Sequence, residues 1–312
     1  ERVWHQSPEA AAFLESVRIF TADGEYRITS STAGFFPAPG SLLETARQRL
    51  ADEMQIAARH LLPFRMGDAV VFLYRHPGRG QRWLQVHPDE ILARLVLEEH
   101  LRTGHGEGWF FLGRAEQPLS RRDRYFPVEK DGTKFYFDPN RIFTDNGFRK
   151  EFLRVPLFYQ YAGYNTSWYF NRHASLFRRA LFPLSQVMLA LFLTRPEPAL
   201  IVHDNKHPMG WAESIFRGHD STLTDAHHRA AGHRLSDFFL VTERDDFRFF
   251  RDRGHNVILQ ARDIPAGDGS ASLAFQQLGK RYICVEVGRE GGFVRGLAML
   301  RLAARTGRPG RE

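Results

Sequence analysis

His87 and Glu90 stand three residues apart where the run Arg82–Val86 gives way to helical spacing. Two ligating side chains so placed, at a strand end turning into a helix, are able to converge on one ion. A catalytic zinc takes three protein ligands drawn from His and carboxylate and keeps a fourth position open. His203 closes the buried-strand pattern Ala199–Val202 and supplies a distant third donor. Glu286 is embedded in the apolar stretch Tyr282–Val287. A carboxylate there is costly unless it is paired, hydrogen-bonded or functional. Two readings stay open for it: a buried salt bridge, or a general base whose pKa burial has raised. Asn140-Arg141 forms a further element, in which Arg is able to grip a carboxylate bidentately and Asn to orient it.

The segments between these residues must bring them together. Ser41 to Leu62 has apolar residues at helical spacing behind a Ser41/Glu44 start signal, with Pro63 closing it. Ala69–Tyr74, Arg82–Val86, Trp109–Leu112 and Lys134–Phe137 read as strands, and Ile91–Leu101 as a helix. An aromatic-rich region from Gly147 to Leu193 reads as helical. The last third alternates: strands Asp237–Thr242, Asn256–Gln260 and Arg281–Val287 with helices Arg244–Arg253, Ser272–Leu278 and Gly292–Arg305. That rhythm predicts an α/β fold with a mixed, mainly parallel central sheet and helices on both faces. Reactive groups in such sheets gather past the carboxyl ends of strands. Residues 1–66 are expected to form an N-terminal segment or small layer, and residues 67–312 the main domain.

In their order and spacing the four elements resemble the zinc metallocarboxypeptidase family. Asp138-Pro139-Asn140-Arg141-Ile142-Phe143 fits the family's Asp-x-Asn-Arg-x-Phe pattern in full. The resemblance spans about Ala69 to Arg305. It implies a metallocarboxypeptidase-like fold, one zinc ion per chain on His87, Glu90 and His203, Asn140 and Arg141 on a substrate carboxylate, and Glu286 as general base and acid. An arginine between the first two motifs would polarise the scissile carbonyl; Arg114, Arg121, Arg122 and Arg124 are candidates, and Arg122 is the choice. The family often has an acidic residue where Ile201 stands here. Its substrate-closing tyrosine is not placed by motif, which leaves Tyr164, Tyr169, Tyr282 and the loop Ala266–Ser270 as candidates. His203-Asp204-Asn205 and Glu286-Val287-Gly288 also look similar to the aspartoacylase and succinylglutamate desuccinylase branch.

Three functions follow as expectations. The first is a zinc-dependent hydrolase cutting an amide bond of a peptide with a free carboxylate, for which a cell-wall peptide is a sensible substrate. The second is an N-acyl amino acid deacylase. The third is a non-catalytic binding protein on the same fold. Composition trims the alternatives. The 312 residues are 43% apolar and 25% charged, an ordinary globular balance that excludes disorder and low complexity. The net charge of +7 rests on arginines scattered along the chain rather than on a block, so a nucleic-acid partner is not expected. No apolar run is long enough to span a membrane. The chain opens on Glu1 rather than methionine, and a periplasmic or secreted location is slightly favoured. One cysteine, Cys284, excludes an internal disulfide and a thiolate zinc cluster, and its apolar neighbours predict a small buried side chain. The histidines around His227-His228 are expected in a solvated loop or helix.

Overall fold

The computed structural model describes residues 18–21, 24–27, 42–66, 69–104, 106–114, 124–130, 133–143, 185, 188–189, 191–193, 195–205, 211–218, 221–262, 264, 269–289 and 292–306. Its strands are β1 (Arg18–Thr21), β2 (Gly24–Arg27), β3 (Leu61–Met66), β4 (Ala69–His76), β5 (Arg82–Gln85), β6 (Glu107–Arg114), β7 (Phe126–Lys130), β8 (Thr133–Phe137), β9 (Ala199–Asn205), β10 (Thr224–His228), β11 (Phe238–Val241), β12 (Val257–Gln260) and β13 (Tyr282–Gly288). Its helices are α1 (Leu42–Met54), α2 (Ile91–Arg102), α3 (Trp211–Phe216), α4 (Arg244–Arg251), α5 (Ala271–Gln277) and α6 (Gly292–Arg305).

Nine strands form one sheet in the order β10-β12-β11-β13-β9-β5-β6-β4-β3. The central run β13-β9-β5-β6 is parallel throughout, as is β11 with β12. The pairs β10–β12, β11–β13, β6–β4 and β4–β3 are antiparallel. Hairpins β1–β2 and β7–β8 stand apart from that sheet.

Strand alternation sends successive side chains to opposite faces, and each face builds its own core. One face carries Leu84, Val86, Ile201, Phe238, Leu240, Tyr282 and Cys284, packed with Phe137, Ile215 of α3 and Phe275 of α5. The other carries Trp83, Leu200, Val202, Phe239, Ile283 and Val285, covered by α1, α2, α4 and α6. Helix α2 buries Ala93, Val96, Leu97, His100 and Leu101, the one-sided stripe that makes it amphipathic. Helix α6 comes so close that a Cβ on Gly296 would lie 2.7 Å from Val287 Cγ1 and 3.1 Å from Val96 Cγ2.

The expected mixed α/β sheet covered on both faces is therefore what the chain adopts. Local differences have physical causes. The helix read from Ser41 to Leu62 stops at Met54, and a 3₁₀ turn at Ala58–His60 leads into β3. Pro63 lies inside that strand rather than closing a helix. β3 is an edge strand, where the missing N–H of proline is tolerated. β3 ends at Met66 and β4 begins at Ala69. Leu50 and Ala51 of α1 and Leu61 of β3 belong to the core of the second face. β9 continues past His203 to Asn205 instead of ending at it. His227 and His228 lie on edge strand β10, not in a loop or helix. Of the region Gly147–Leu193, only residues 185, 188–189 and 191–193 are described, and these are helical; the rest lies outside the described residues.

Candidate metal centre

The connection from β5 to α2 sets the first two donors. His87 follows Val86, the backbone turns through Pro88-Asp89 with Glu90 N–H bonded to the His87 carbonyl (3.1 Å), and Glu90 becomes the N-cap of α2. An N-cap side chain ordinarily accepts from the first helical turn. That of Glu90 makes no such bond; it turns into the site, a local rule broken where chemistry gathers. The third donor comes from the middle of the sheet. β9 and β13 pair in parallel with His203 opposite Glu286 and Ile201 opposite Cys284. His203, Cys284 and Glu286 therefore share one face.

The donor atoms converge. His87 Nδ1 lies 2.7 Å from Glu90 Oε1 and 3.1 Å from His203 Nδ1, and His203 Nδ1 lies 3.0 Å from Glu90 Oε2. His87, Glu90 and His203 are all buried. Behind them, His87 Nε2 is 2.8 Å from Asp138 Oδ1. With Nε2 donating in that bond, a neutral His87 ring would direct its Nδ1 lone pair at Glu90 and His203. Electron-rich atoms of three side chains this close repel one another unless a proton or a metal ion lies among them. The set fits zinc in donor type (two imidazole nitrogens and a carboxylate) and in the carboxylate behind a ligating imidazole.

Charge around the site is dense. Burial works to raise the Glu90 carboxyl, but the attraction of His87 and His203 outweighs it and holds the group far below the usual carboxylate range. Burial likewise opposes ionisation of Asp138, and His87 and Arg124 overturn it, so that carboxyl too is strongly depressed. Burial would lower His87, but Glu90 and Asp138 outweigh it and raise its pKa. Arg124 joins the group, with Nη1 2.9 Å from Glu90 Oε1 and Nε 3.3 Å from Asp138 Oδ2.

Glu286 is half-buried in β13. Burial raises its pKa, the attraction of His203 opposes this, and repulsion from Glu90 adds to the rise. Among the described residues no cation ion-pairs with it, so the salt-bridge reading finds no partner there. Its hydrogen-bond donor is the Cys284 thiol, 3.5 Å away. Cys284 is buried as expected, and burial with the nearby Glu286 charge pushes its pKa well up.

The Asp138–Phe143 segment follows β8. Asp138 caps a 3₁₀ turn over Pro139–Arg141 by accepting from the Asn140 N–H at 2.8 Å. Asn140 Oδ1 accepts from the Ala271 N–H at 3.3 Å, which ties this segment to the start of α5. Arg141 is half-buried and close enough to act electrostatically on Asp138 and Tyr282.

Of the sequence-predicted residues, His87, Glu90, His203 and Glu286 come together, and Asn140-Arg141 is joined to them through Asp138. Arg122 lies outside the described residues, as do Arg121, Tyr164 and Tyr169. Among the described residues, Arg124 is the arginine of the candidate group that reaches the donors. Tyr282 is 2% exposed and stacked on Phe275, so it is a core residue rather than a side chain that swings over a substrate. No ligand group forms at His227-His228 among the described residues. The reading by motif gave Asp138 no role of its own. An Asp before proline at a strand end is a recognisable cap, but its second bond to His87 depends on a long-range contact.

No protein-family model and no curated protein matches the chain. Solved structures give distant likenesses. A Shewanella baltica protein provisionally assigned as a metallopeptidase is 16% identical, over 85% of this chain and 88% of its own, with a TM-score of 0.36. One from Shewanella denitrificans, assigned likewise, is 13% identical over 85% and 88%, with a TM-score of 0.34. An aspartoacylase family protein from Mesorhizobium loti is 18% identical over 80% of this chain and 67% of its own, with a TM-score of 0.31.

Proposed function

We propose that the chain is a zinc-dependent hydrolase that cuts an amide bond next to a free carboxylate. The observation that carries this reading is the convergence of His87 Nδ1, Glu90 and His203 Nδ1 within 3.1 Å, with Glu286 in register beside them. Zinc held by His87, Glu90 and His203 would polarise the carbonyl and acidify water at its open position.

The chain's own residues then divide the work. Asp138 fixes the His87 ring with the Nδ1 lone pair facing the donors. Glu286 takes the proton of the attacking water and passes it to the departing nitrogen. Its raised pKa suits a group that must both accept and return a proton. Arg124 offers a guanidinium to the oxygen of the scissile carbonyl; Arg122 stays a second candidate for that role. Arg141 holds the substrate carboxylate, with Asn140 orienting it. The same residues serve an N-acyl amino acid as well as a peptide, and the motifs around His203 and Glu286 that look similar to the aspartoacylase branch keep that second reading in play.

Metal analysis of the purified full chain tests the site. About one zinc per chain is expected, lost in His87→Ala and in His203→Ala; a native chain that takes up no zinc sinks the reading. Turnover on peptides with free and amidated C-termini, alongside N-acyl amino acids, sorts the substrates. Indifference to the terminal carboxylate would remove Arg141 from its role.

A further inference from the structure

His203 belongs to two groups of convergent donors. One is His87–Glu90–His203; the other is His203–Cys284–Glu286, whose ligand atoms also lie within 4.8 Å of one another. The parallel register of β9 and β13 builds the second group. Glu286 stands opposite His203, and Cys284 points to the same face two residues earlier.

Three observations indicate that this second group is a cation seat. Cys284 Sγ and Glu286 Oε1 are 3.5 Å apart. Bonds of about 2.3 Å to sulfur and 2.1 Å to oxygen at tetrahedral zinc put such donors about 3.6 Å apart, the spacing of a divalent-cation seat. The thiol is buried beside a carboxylate, away from the surface where a cysteine meets other reagents. The two imidazoles also differ in anchoring. His87 is locked by Asp138 behind it, whereas His203 Nε2 is buried without a hydrogen-bond partner among the described residues. No outer carboxylate there fixes the His203 ring on the first group alone.

The geometry points to an alternative seat for a thiophilic divalent cation such as Cd²⁺, formed by Cys284 Sγ, a Glu286 carboxylate oxygen and a His203 ring nitrogen. The ligand sets divide by softness: two imidazoles and a carboxylate in the first, sulfur in the second. Binding replaces the thiol proton with the ion and releases that proton to solvent. Because His203 is common to both, a cation in the second seat competes with one in the first. It also takes the Glu286 carboxylate out of use as a base. This last consequence rests on the proposed hydrolase mechanism; the seat itself does not.

The test is a Cd²⁺ titration of the metal-stripped full chain, followed by ultraviolet thiolate-to-metal charge-transfer absorption and by bound Cd²⁺. The chain has one cysteine, so any such band reports Cys284. Wild type is expected to develop the band by one equivalent, and Cys284→Ser to lack it. His87→Ala should keep the band while losing zinc binding. Glu286→Gln should need at least about tenfold more Cd²⁺ to reach it, an independent check should the serine variant fold poorly. Added zinc should compete the band away in wild type. No band in wild type overturns the inference, and so does loss of the band in His87→Ala, which would show that Cd²⁺ on Cys284 depends on His87 and has no seat of its own. A chain that binds zinc without a thiolate band loses this seat and keeps the hydrolase reading. A chain that shows the band in His87→Ala but binds no zinc at its first site does the reverse.

Discussion

Two sets of buried carboxylates on opposite faces of the sheet are matched in different ways. On the face covered by α2, α4 and α6, Asp246, Asp237 and Asp204 are each ion-paired with an arginine among the described residues. Asp246 accepts from Arg281 Nε at 2.6 Å, Asp237 has Arg295 at 3.1 Å, and Asp204 has Arg289 at 3.4 Å. Asp237 also accepts from the Gly288 N–H at 2.7 Å, where a Cβ would strike the Ser236 side chain at 2.2 Å. At the candidate site on the other face, Glu90 and Asp138 share His87 and Arg124, Glu90 also meets His203, and Glu286 has a thiol. A carboxylate matched by a guanidinium with no imidazole beside it is closed structure. One matched by imidazoles, whose protons a metal displaces, or by no cation at all, is poised for chemistry.

The contrast is broken most sharply at its least compensated member. Glu286→Gln keeps the shape of the side chain and removes the proton acceptor. Turnover is expected to fall by roughly 10²–10⁴-fold with zinc content unchanged; activity near wild type would end the base assignment. The other face answers differently. Arg281→Ala leaves Asp246 buried without its cation and is expected to cost about 3 kcal/mol in urea unfolding. Zinc content and KM should not move. Should that variant lose metal instead of stability, the division between the faces fails.

Much of the poised face was legible because its parts are local. The His87/Glu90 spacing needs only a strand end and a helix start, and the Asp138–Phe143 pattern is a single turn. An expensive carboxylate marked Glu286 inside an apolar strand. What the sequence could not carry is register. That His203 faces Glu286, and that Cys284 shares their side, follows from the pairing of strands far apart along the chain. The bond from Asp138 to His87 has the same non-local origin. Arg124 is one of four candidates by sequence, where Arg122 is the choice, and only the fold brings it to Glu90. Pro63 misled in the other direction, because proline ends a helix and also tolerates a sheet edge, and only the neighbouring strand decides between them.

Asp138 sharpens the comparison at intermediate size. Asp138→Asn preserves volume but weakens the acceptor behind His87 and permits the wrong ring orientation. Zinc affinity should drop about 10–100-fold, the usual cost of losing a carboxylate behind a ligating imidazole. A competition titration against a chelator reads it. Unchanged affinity would mean that the His87 ring is held by its packing alone.

The smallest expected effect concerns pH, and Glu90 with Asp138 should differ from Asp246 in its sign. Glu90 and Asp138 are depressed, so their contribution to stability is full above the ordinary carboxylate range and is lost as pH falls. Asp246 is the reverse: burial lifts its carboxyl to about 6 even though Arg281 pulls it down. The native state therefore holds that proton more tightly than the unfolded chain does. Stability from this group is present below about pH 4, the unfolded value, and is lost as pH rises through about 6. Asp246→Asn has no such term. The stability of wild type relative to this variant should thus decline by about 2 kcal/mol between pH 4 and pH 7. Urea unfolding of both proteins at the two pH values measures the difference. A gap that stays constant or widens with pH would show that Arg281 wins over burial, and that Asp246 is ionised with no penalty on the closed face.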